Sequence, residues 1–203
     1  MDDDMMKMLP KNLESRISWD EVQNEFGSTE IIFIAFGRKD SSVYNQHTLH
    51  NLWLLSENLE SLEVVKKVTN ISTSTRIDQH DGFMEIDDLQ TSEKLSKNEI
   101  DGIKAYLEKN PQLKKRLVSK YENYLLTIIQ PEHGYGLDRF RNDVVHVADS
   151  LLADYEIHYG GTAYVTGSVP QLIREDVRSL IKAGLMIMLI MLLVNLRSMK
   201  AVL

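Results

Sequence analysis

Short apolar runs of strand length alternate along this chain with longer stretches whose apolar residues recur every three or four positions. "EIIFIAFG" (30–37) is a continuous apolar run ended by Gly37 and predicts a buried strand. A polar turn, "SSVYN", follows, and Asn45 is placed to cap a helix. In "QHTLHNLWLLSENLESL", Leu49, Leu52, Leu55, Leu59 and Leu62 mark one helical face, with Trp53 beside it. "VVKKVTNIST" (64–73) is rich in β-branched residues and predicts a second strand.

Residues 74–98 break the rhythm. They are polar, acidic and weakly periodic, which predicts an insertion with a small hairpin around Asp81-Gly82. Ser96 and Glu99 have capping-box spacing ahead of Ile100, Ile103 and Leu107, so a helix begins there, and Asn110-Pro111 stops it. The first rhythm then returns. "NYLLTIIQPE" (123–132) is a strand and "HGYG" a turn. Phe140, Val144, Val147, Ala148, Leu151 and Tyr155 form a helical stripe. "TAYVTGS" (162–168) reads as the last strand, and Ser168 and Gln171, with Pro170 between them, read as the start of a further helix.

This order is β-α-β, insertion, β-α-β. It predicts an α+β domain of ferredoxin-like βαβ-βαβ topology. Its strands would lie near 30–36, 64–72, 124–131 and 162–167, with helices at 46–62 and 138–155 on one face of the sheet. Residues 1–29 form a lead-in, 30–178 the domain with its insertion at about 74–98, 179–198 a terminal helix, and 199–203 the start of a further segment.

That terminal helix changes character along its length. Arg174, Glu175, Asp176, Arg178 and Lys182 punctuate its first part. Then Ala183, Gly184, Leu185, Met186, Ile187, Met188, Leu189, Ile190, Met191, Leu192, Leu193, Val194, Asn195 and Leu196 follow without a charge. A helix apolar on all sides belongs in a deep core or in a membrane. This run covers roughly 21 Å at about 1.5 Å per residue, short of a hydrocarbon core of about 30 Å. Leu180 and Ile181 extend it if Lys182 snorkels. Arg197 and Lys200 follow directly, as at a cytoplasmic end. Two amphipathic helices already suffice for one sheet face, so a membrane-spanning helix over 183–196 is the expectation.

Composition narrows the function. The net charge of −7 argues against nucleic acid, which needs a basic face. The absence of cysteine removes disulfides, thiolate metal sites and cysteine nucleophiles. The acidic opening "MDDDMMKMLP" is no secretory signal.

Several stretches resemble the resistance-nodulation-division (RND) superfamily of exporters, in its lipid- and amphiphile-exporting branch with the mycobacterial-membrane-protein-large (MMPL) type domain. "VTGSVPQLIREDVRSLIKAGLMIMLIMLLVNLRSMKAVL" is similar to the segment leading into the second transmembrane helix of that family. Thr166-Gly167 stands where the family has a strand end, and Arg197-Ser198 and Lys200 stand in its short cytoplasmic turn. Leu9-Pro10, Glu25-Phe26-Gly27-Ser28 and "NPQLKKRLVSKYENYLLTIIQ" resemble further family stretches. The resemblance covers nearly the whole chain. It implies an extracytoplasmic porter domain (residues 1–178 outside the inner membrane) and one membrane helix, cut from a longer proton-driven transporter. The implied partners are the bilayer, the remaining porter and transmembrane domains, and a hydrophobic or lipid substrate. It implies no enzymatic chemistry and no cofactor. The readings beside it are a stand-alone ferredoxin-like binding or regulatory module and the similar domain of a Sec accessory exporter.

No catalytic constellation stands out. Asp78, His80, Asp81, Glu85, Asp87 and Asp88 lie close together, but their spacing fits no calcium loop and reads as a solvated acidic loop. His47 and His50 could share a helical face but lack a third ligand. His133, His146 and His158 are scattered. Ser168 in "GSVP" lacks a nucleophile elbow. Asn70-Ile71-Ser72 matches a glycosylation acceptor. Met186, Met188 and Met191 read as apolar filler facing acyl chains.

Overall fold

The structure is a computed structural model and describes residues 10, 12–26, 30–80 and 83–196. The chain divides into two compact units, Asp2–Gly167 and Ser168–Leu203. The elements are α1 (Glu14–Phe26), β1 (Ile32–Gly37), α2 (Gln46–Glu60), β2 (Val65–Thr69), β3 (Thr75–His80), β4 (Phe83–Asp88), α3 (Lys97–Lys109), α4 (Pro111–Leu117), β5 (Tyr124–Pro131), α5 (Leu137–Leu151), β6 (Glu156–Gly160) and α6 (Thr162–Leu196).

The first unit is α+β. Its main sheet has the order β2-β5-β1-β6, and every neighbouring pair is antiparallel. Ile32, Ile34 and Phe36 of β1 are fully buried, while Phe33 and Ala35 between them are not, so one face of the central strand points into the core. Against that face lie Leu49, Leu52, Leu55 and Leu59 of α2 and Phe140, Val144 and Ala148 of α5, in one cluster. Each of these leucines removes an apolar side chain from water, worth about 1.5–3 kcal/mol. Both helices therefore cover the same side of the sheet, as their one-sided stripes require, and they touch each other. The start of α2 is fixed by Asn45, whose Oδ1 accepts from the Thr48 backbone N–H at 2.8 Å.

The insertion is ordered. β3 and β4 form a separate two-stranded sheet with Arg76 opposite Asp87, Ile77 opposite Ile86 and His80 opposite Phe83. The predicted turn residues Asp81 and Gly82 lie outside the described residues. Ser96 and Glu99 close the capping box that begins α3. Pro111 ends α3 but also starts α4 as its first residue, where its missing N–H has no intrahelical partner to lose.

Two expectations fail at the fourth strand. Residues 162–167 are helical, and the strand is Glu156–Gly160. The reason lies in α5 and in Gly161. α5 ends at Leu151, which frees 156–160 to pair with Phe33–Gly37. Gly161 then turns the chain at φ +101, and a Cβ there would sit 2.2 Å from the Ile31 carbonyl oxygen. The apolar residues after the turn follow helical spacing: Ala163 and Gly167 are both buried, four residues apart. A Cβ at Gly167 would lie 2.6 Å from the Leu137 carbonyl oxygen. For the same reason no helix starts at Ser168. Ser168 and Pro170 stand inside α6, which is already running from Thr162. Of the lead-in, the sequence pattern missed α1, whose Ile17 and Val22 are exposed.

The described residues of the second unit are the remainder of α6. Leu172, Ile173, Val177, Leu180 and Ile181 are exposed on it, and so is each residue from Leu185 to Leu192.

Candidate functional site

Three places carried candidate chemistry in the sequence. In the acidic stretch, β3 holds Asp78 and His80 and β4 holds Glu85, Asp87 and Asp88, with Asp78 opposite Glu85 in the ladder. Asp81 lies outside the described residues. Among the described residues no group of three or more His, Cys, Asp or Glu side chains could hold a metal ion.

The histidines disperse. His47 stacks on Tyr155 with ring centroids 5.9 Å apart, whereas His50 turns its Nδ1 to Glu93 at 3.4 Å. His158 sits beside Tyr124, at 5.6 Å between rings. His133 and His146 are exposed on the turn before α5 and on α5 itself. Asn70 of the glycosylation triplet is fully buried. Its Nδ2 donates to Ser56 Oγ (2.8 Å) and to Thr127 Oγ1 (3.3 Å). Its Oδ1 accepts from the Ser72 N–H (2.9 Å), the Ser72 hydroxyl (2.8 Å) and the Thr73 N–H (3.2 Å). The triplet is thus a structural turn that satisfies the buried backbone beyond β2, with no acceptor amide open to an enzyme.

The terminal run is helical from Ala183 to Leu196. Its described residues, through Leu192, are exposed around the helix, with Met186 at 65% and Met191 at 67%, values that exclude a core helix within this unit. Among the described residues no helix is long and apolar enough to cross a membrane.

Two clusters escaped the sequence reading. The first is charged. Glu122 stands at φ 55 between α4 and β5 and accepts from Lys114 Nζ at 2.6 Å and Lys104 Nζ at 3.0 Å, while Lys114 also reaches Glu108 at 2.5 Å. These bonds hold the Glu122 carboxyl below the usual carboxylate range and push the Lys114 ammonium up. Tyr44 packs beside them under Lys104 Nζ, 5.1 Å from its ring centre. Burial, with Glu122 second, pushes its hydroxyl up to about 12. The cluster ties α3 and α4 to the loop after β1, where the Val43 N–H donates to the Glu122 carbonyl.

The second is a cavity of about 190 Å³ between that same loop and the start of α2. Gly37 makes the geometry possible: a Cβ there would lie 1.9 Å from the Asn123 carbonyl oxygen, which instead accepts from the Arg38 N–H at 3.2 Å. Tyr155 is the cavity's organising ring. Phe36 meets its edge, Arg38 lies over its face at 5.0 Å, and His47 stacks on it. Arg38 Nε donates to the Asp154 carbonyl at 3.1 Å. Ser41 and Ser42 complete the rim. The sequence signal was present as a basic pair and two serines, "RKDSS", between a strand and a helix cap, but it carries no motif spacing.

No protein-family profile matches the chain, and no curated protein matches it at a significant level.

Proposed function

We propose that this chain is the first extracytoplasmic porter domain, of ferredoxin-like topology, and the second membrane helix of an RND-type exporter of lipids or other amphiphiles, in the MMPL-type branch. The observation that carries the reading is the succession of an antiparallel β2-β5-β1-β6 sheet, covered on one side by α2 and α5, and a long helix whose later residues are apolar and exposed. That strand order matches a split βαβ pair, with the hairpin and α3–α4 as an insertion. The Thr166-Gly167 element of the resemblance sits in a helix here and lends no support.

In this reading α6 enters the bilayer at about Leu180. The apolar sequence continues beyond the described side chains through Leu193, Val194 and Leu196, and with Leu180 and Ile181 it spans about 25 Å at ~1.5 Å per residue. Snorkelling of Lys182 and local thinning of the bilayer accommodate the remainder. The domain supplies a wall of the substrate path, the bilayer and the other transporter domains are its partners, and no reaction is assigned to it. In the full-length protein, a cysteine replacing Ser42 should react with a membrane-impermeant maleimide in intact cells, and one replacing Ser198 should not. The reverse pattern puts the domain in the cytoplasm and removes the exporter reading.

A further inference from the structure

The cavity under Arg38 has the parts of an anion site. Arg38 makes two contacts there: its Nε donates to the Asp154 carbonyl and its guanidinium carbon lies 5.0 Å over the Tyr155 ring. Arg38, Ser41 and Ser42 are exposed at the cavity mouth, and among the described residues the two terminal nitrogens of the guanidinium have no carboxylate partner. A guanidinium engaged through Nε and open at its terminal nitrogens suits a multidentate oxyanion, because it forms parallel N–H···O bonds. Ser42 Oγ accepts from the Tyr44 N–H at 3.3 Å, so its own O–H remains to be donated. Ser41 Oγ reaches the Ser42 carbonyl only at 3.5 Å. His47, in the first turn of α2, also lines the cavity. The lining thus comes from the residue just after β1, the loop and the first turn of α2, with the donors on the first two. A cavity of about 190 Å³ is below the usual range of roughly 300–1,000 Å³ for drug-sized ligands. It has room for a small charged group and not for an acyl chain.

We propose that this cavity binds a phosphate group, free or as the phosphomonoester of a lipid headgroup, with Arg38 as its principal ligand and Ser41 and Ser42 as hydroxyl donors. A tetrahedral phosphate offers several acceptor oxygens to donors arriving from different sides, whereas a planar carboxylate would use the guanidinium edge and leave the hydroxyls. The site does not depend on the exporter reading, since every group in it belongs to the first unit and none to α6.

The test is a titration of the full ¹⁵N-labelled chain in uncharged detergent micelles with inorganic phosphate, at constant ionic strength set by chloride. Saturable amide shifts at Ser41, Ser42 and His47 are expected. Arg38→Gln should weaken binding about tenfold or more, and Ser42→Ala should weaken it to a lesser degree. Lys39→Gln, which removes the neighbouring exposed charge, should change it less than about twofold. Micelles doped with phosphatidic acid or with phosphatidylcholine separate the sources. Shifts with free phosphate alone mark a soluble ligand, and shifts with phosphatidic acid but not phosphatidylcholine mark a headgroup. The proposal is overturned if neither probe shifts these amides, or if R38Q and K39Q weaken binding equally, which is the signature of diffuse surface charge. Preserved spectral dispersion in R38Q separates lost binding from lost folding, and S42A repeats the test without touching a charge.

Discussion

Replacing Asn70 by alanine should be among the most damaging single changes in this protein. The side chain is fully buried and takes part in five hydrogen bonds at the turn after β2. In Asn70→Ala the Ser72 and Thr73 N–H groups lose their acceptor, and Ser56 and Thr127 lose a donor. Ser56 keeps its bond to the Leu52 carbonyl at 2.9 Å and its contact with Ser72 Oγ at 2.7 Å, so the hydroxyls partly re-pair. The two amides cannot follow, because the turn fixes their direction. A buried polar group left unpaired costs about 1–3 kcal/mol. The Ser72 amide is buried and the Thr73 amide half-buried, so with the small cavity left by the side chain the loss is about 2–4 kcal/mol, a large fraction of the stability of a small domain. Urea unfolding followed by Trp53 fluorescence reads this directly, since Trp53 lines the same cleft as Ser56 and Ser72. A Trp19→Phe background removes the other indole. The midpoint should fall with the slope unchanged. A loss below about 1 kcal/mol would refute the account and mean that water replaces the amide without strain.

Gly37→Ala should destabilise by about 2–4 kcal/mol in the same assay, because its Cβ meets the Asn123 carbonyl at 1.9 Å and the backbone must move. Glu122→Gln should cost about 0.5–1 kcal/mol at neutral pH. The Glu122 carboxyl titrates below its ordinary value, so its contribution is present above about pH 4.3 and is lost as pH falls through the lower folded value. Wild-type and variant unfolding midpoints should therefore converge in acid. The Tyr44 hydroxyl should ionise near pH 12 in a 295 nm absorbance titration, and Tyr44→Phe should lower the late amplitude by one tyrosine, leaving that of Tyr159, which burial also pushes up. Deleting residues 180–203 should leave a domain that melts cooperatively, because that segment belongs to the second unit and none of its described residues stands in the cluster around Phe36.

Local chemistry made much of the fold readable. The α2 stripe, the Asn45 cap, the Ser96–Glu99 box and the hairpin of the insertion are written in residues a few positions apart, and each forms where that spacing predicts. The misreadings come from signals that distant partners decide. "EIHYG" is an edge strand with only half-buried inward residues, Ile157 and Tyr159, so it shows no apolar run. "TAYVTG" alternates like a strand, yet Gly161 and the close approach of Gly167 to Leu137 make it a helix. Pro111 was legible as a stop but not as the first residue of α4. The cavity was illegible because Arg38, Asn123 and Tyr155 meet only once β1, β5 and β6 have paired.

The strand order has a consequence for how the protein is made. β1, the first of the described strands to be synthesised, finds no neighbour nearby in sequence: Ile32 pairs with Ile129 and Phe33 with Gly160. Its buried residues Ile32, Ile34 and Phe36 must wait unpaired while the whole of α2, the hairpin, α3 and α4 are synthesised. At about 5–20 residues per second that interval lasts several seconds. Contacts this distant along the chain close slowly, and an apolar strand without its partners is a template for the wrong ones. α2 can shield β1 early, since it follows at once and bears the leucines that cover the same side chains in the finished domain. The insertion adds delay, and it brings apolar residues of its own: Ile77 and Ile86 stay exposed on the hairpin, while Leu89 and Leu95 join the core only when the domain closes.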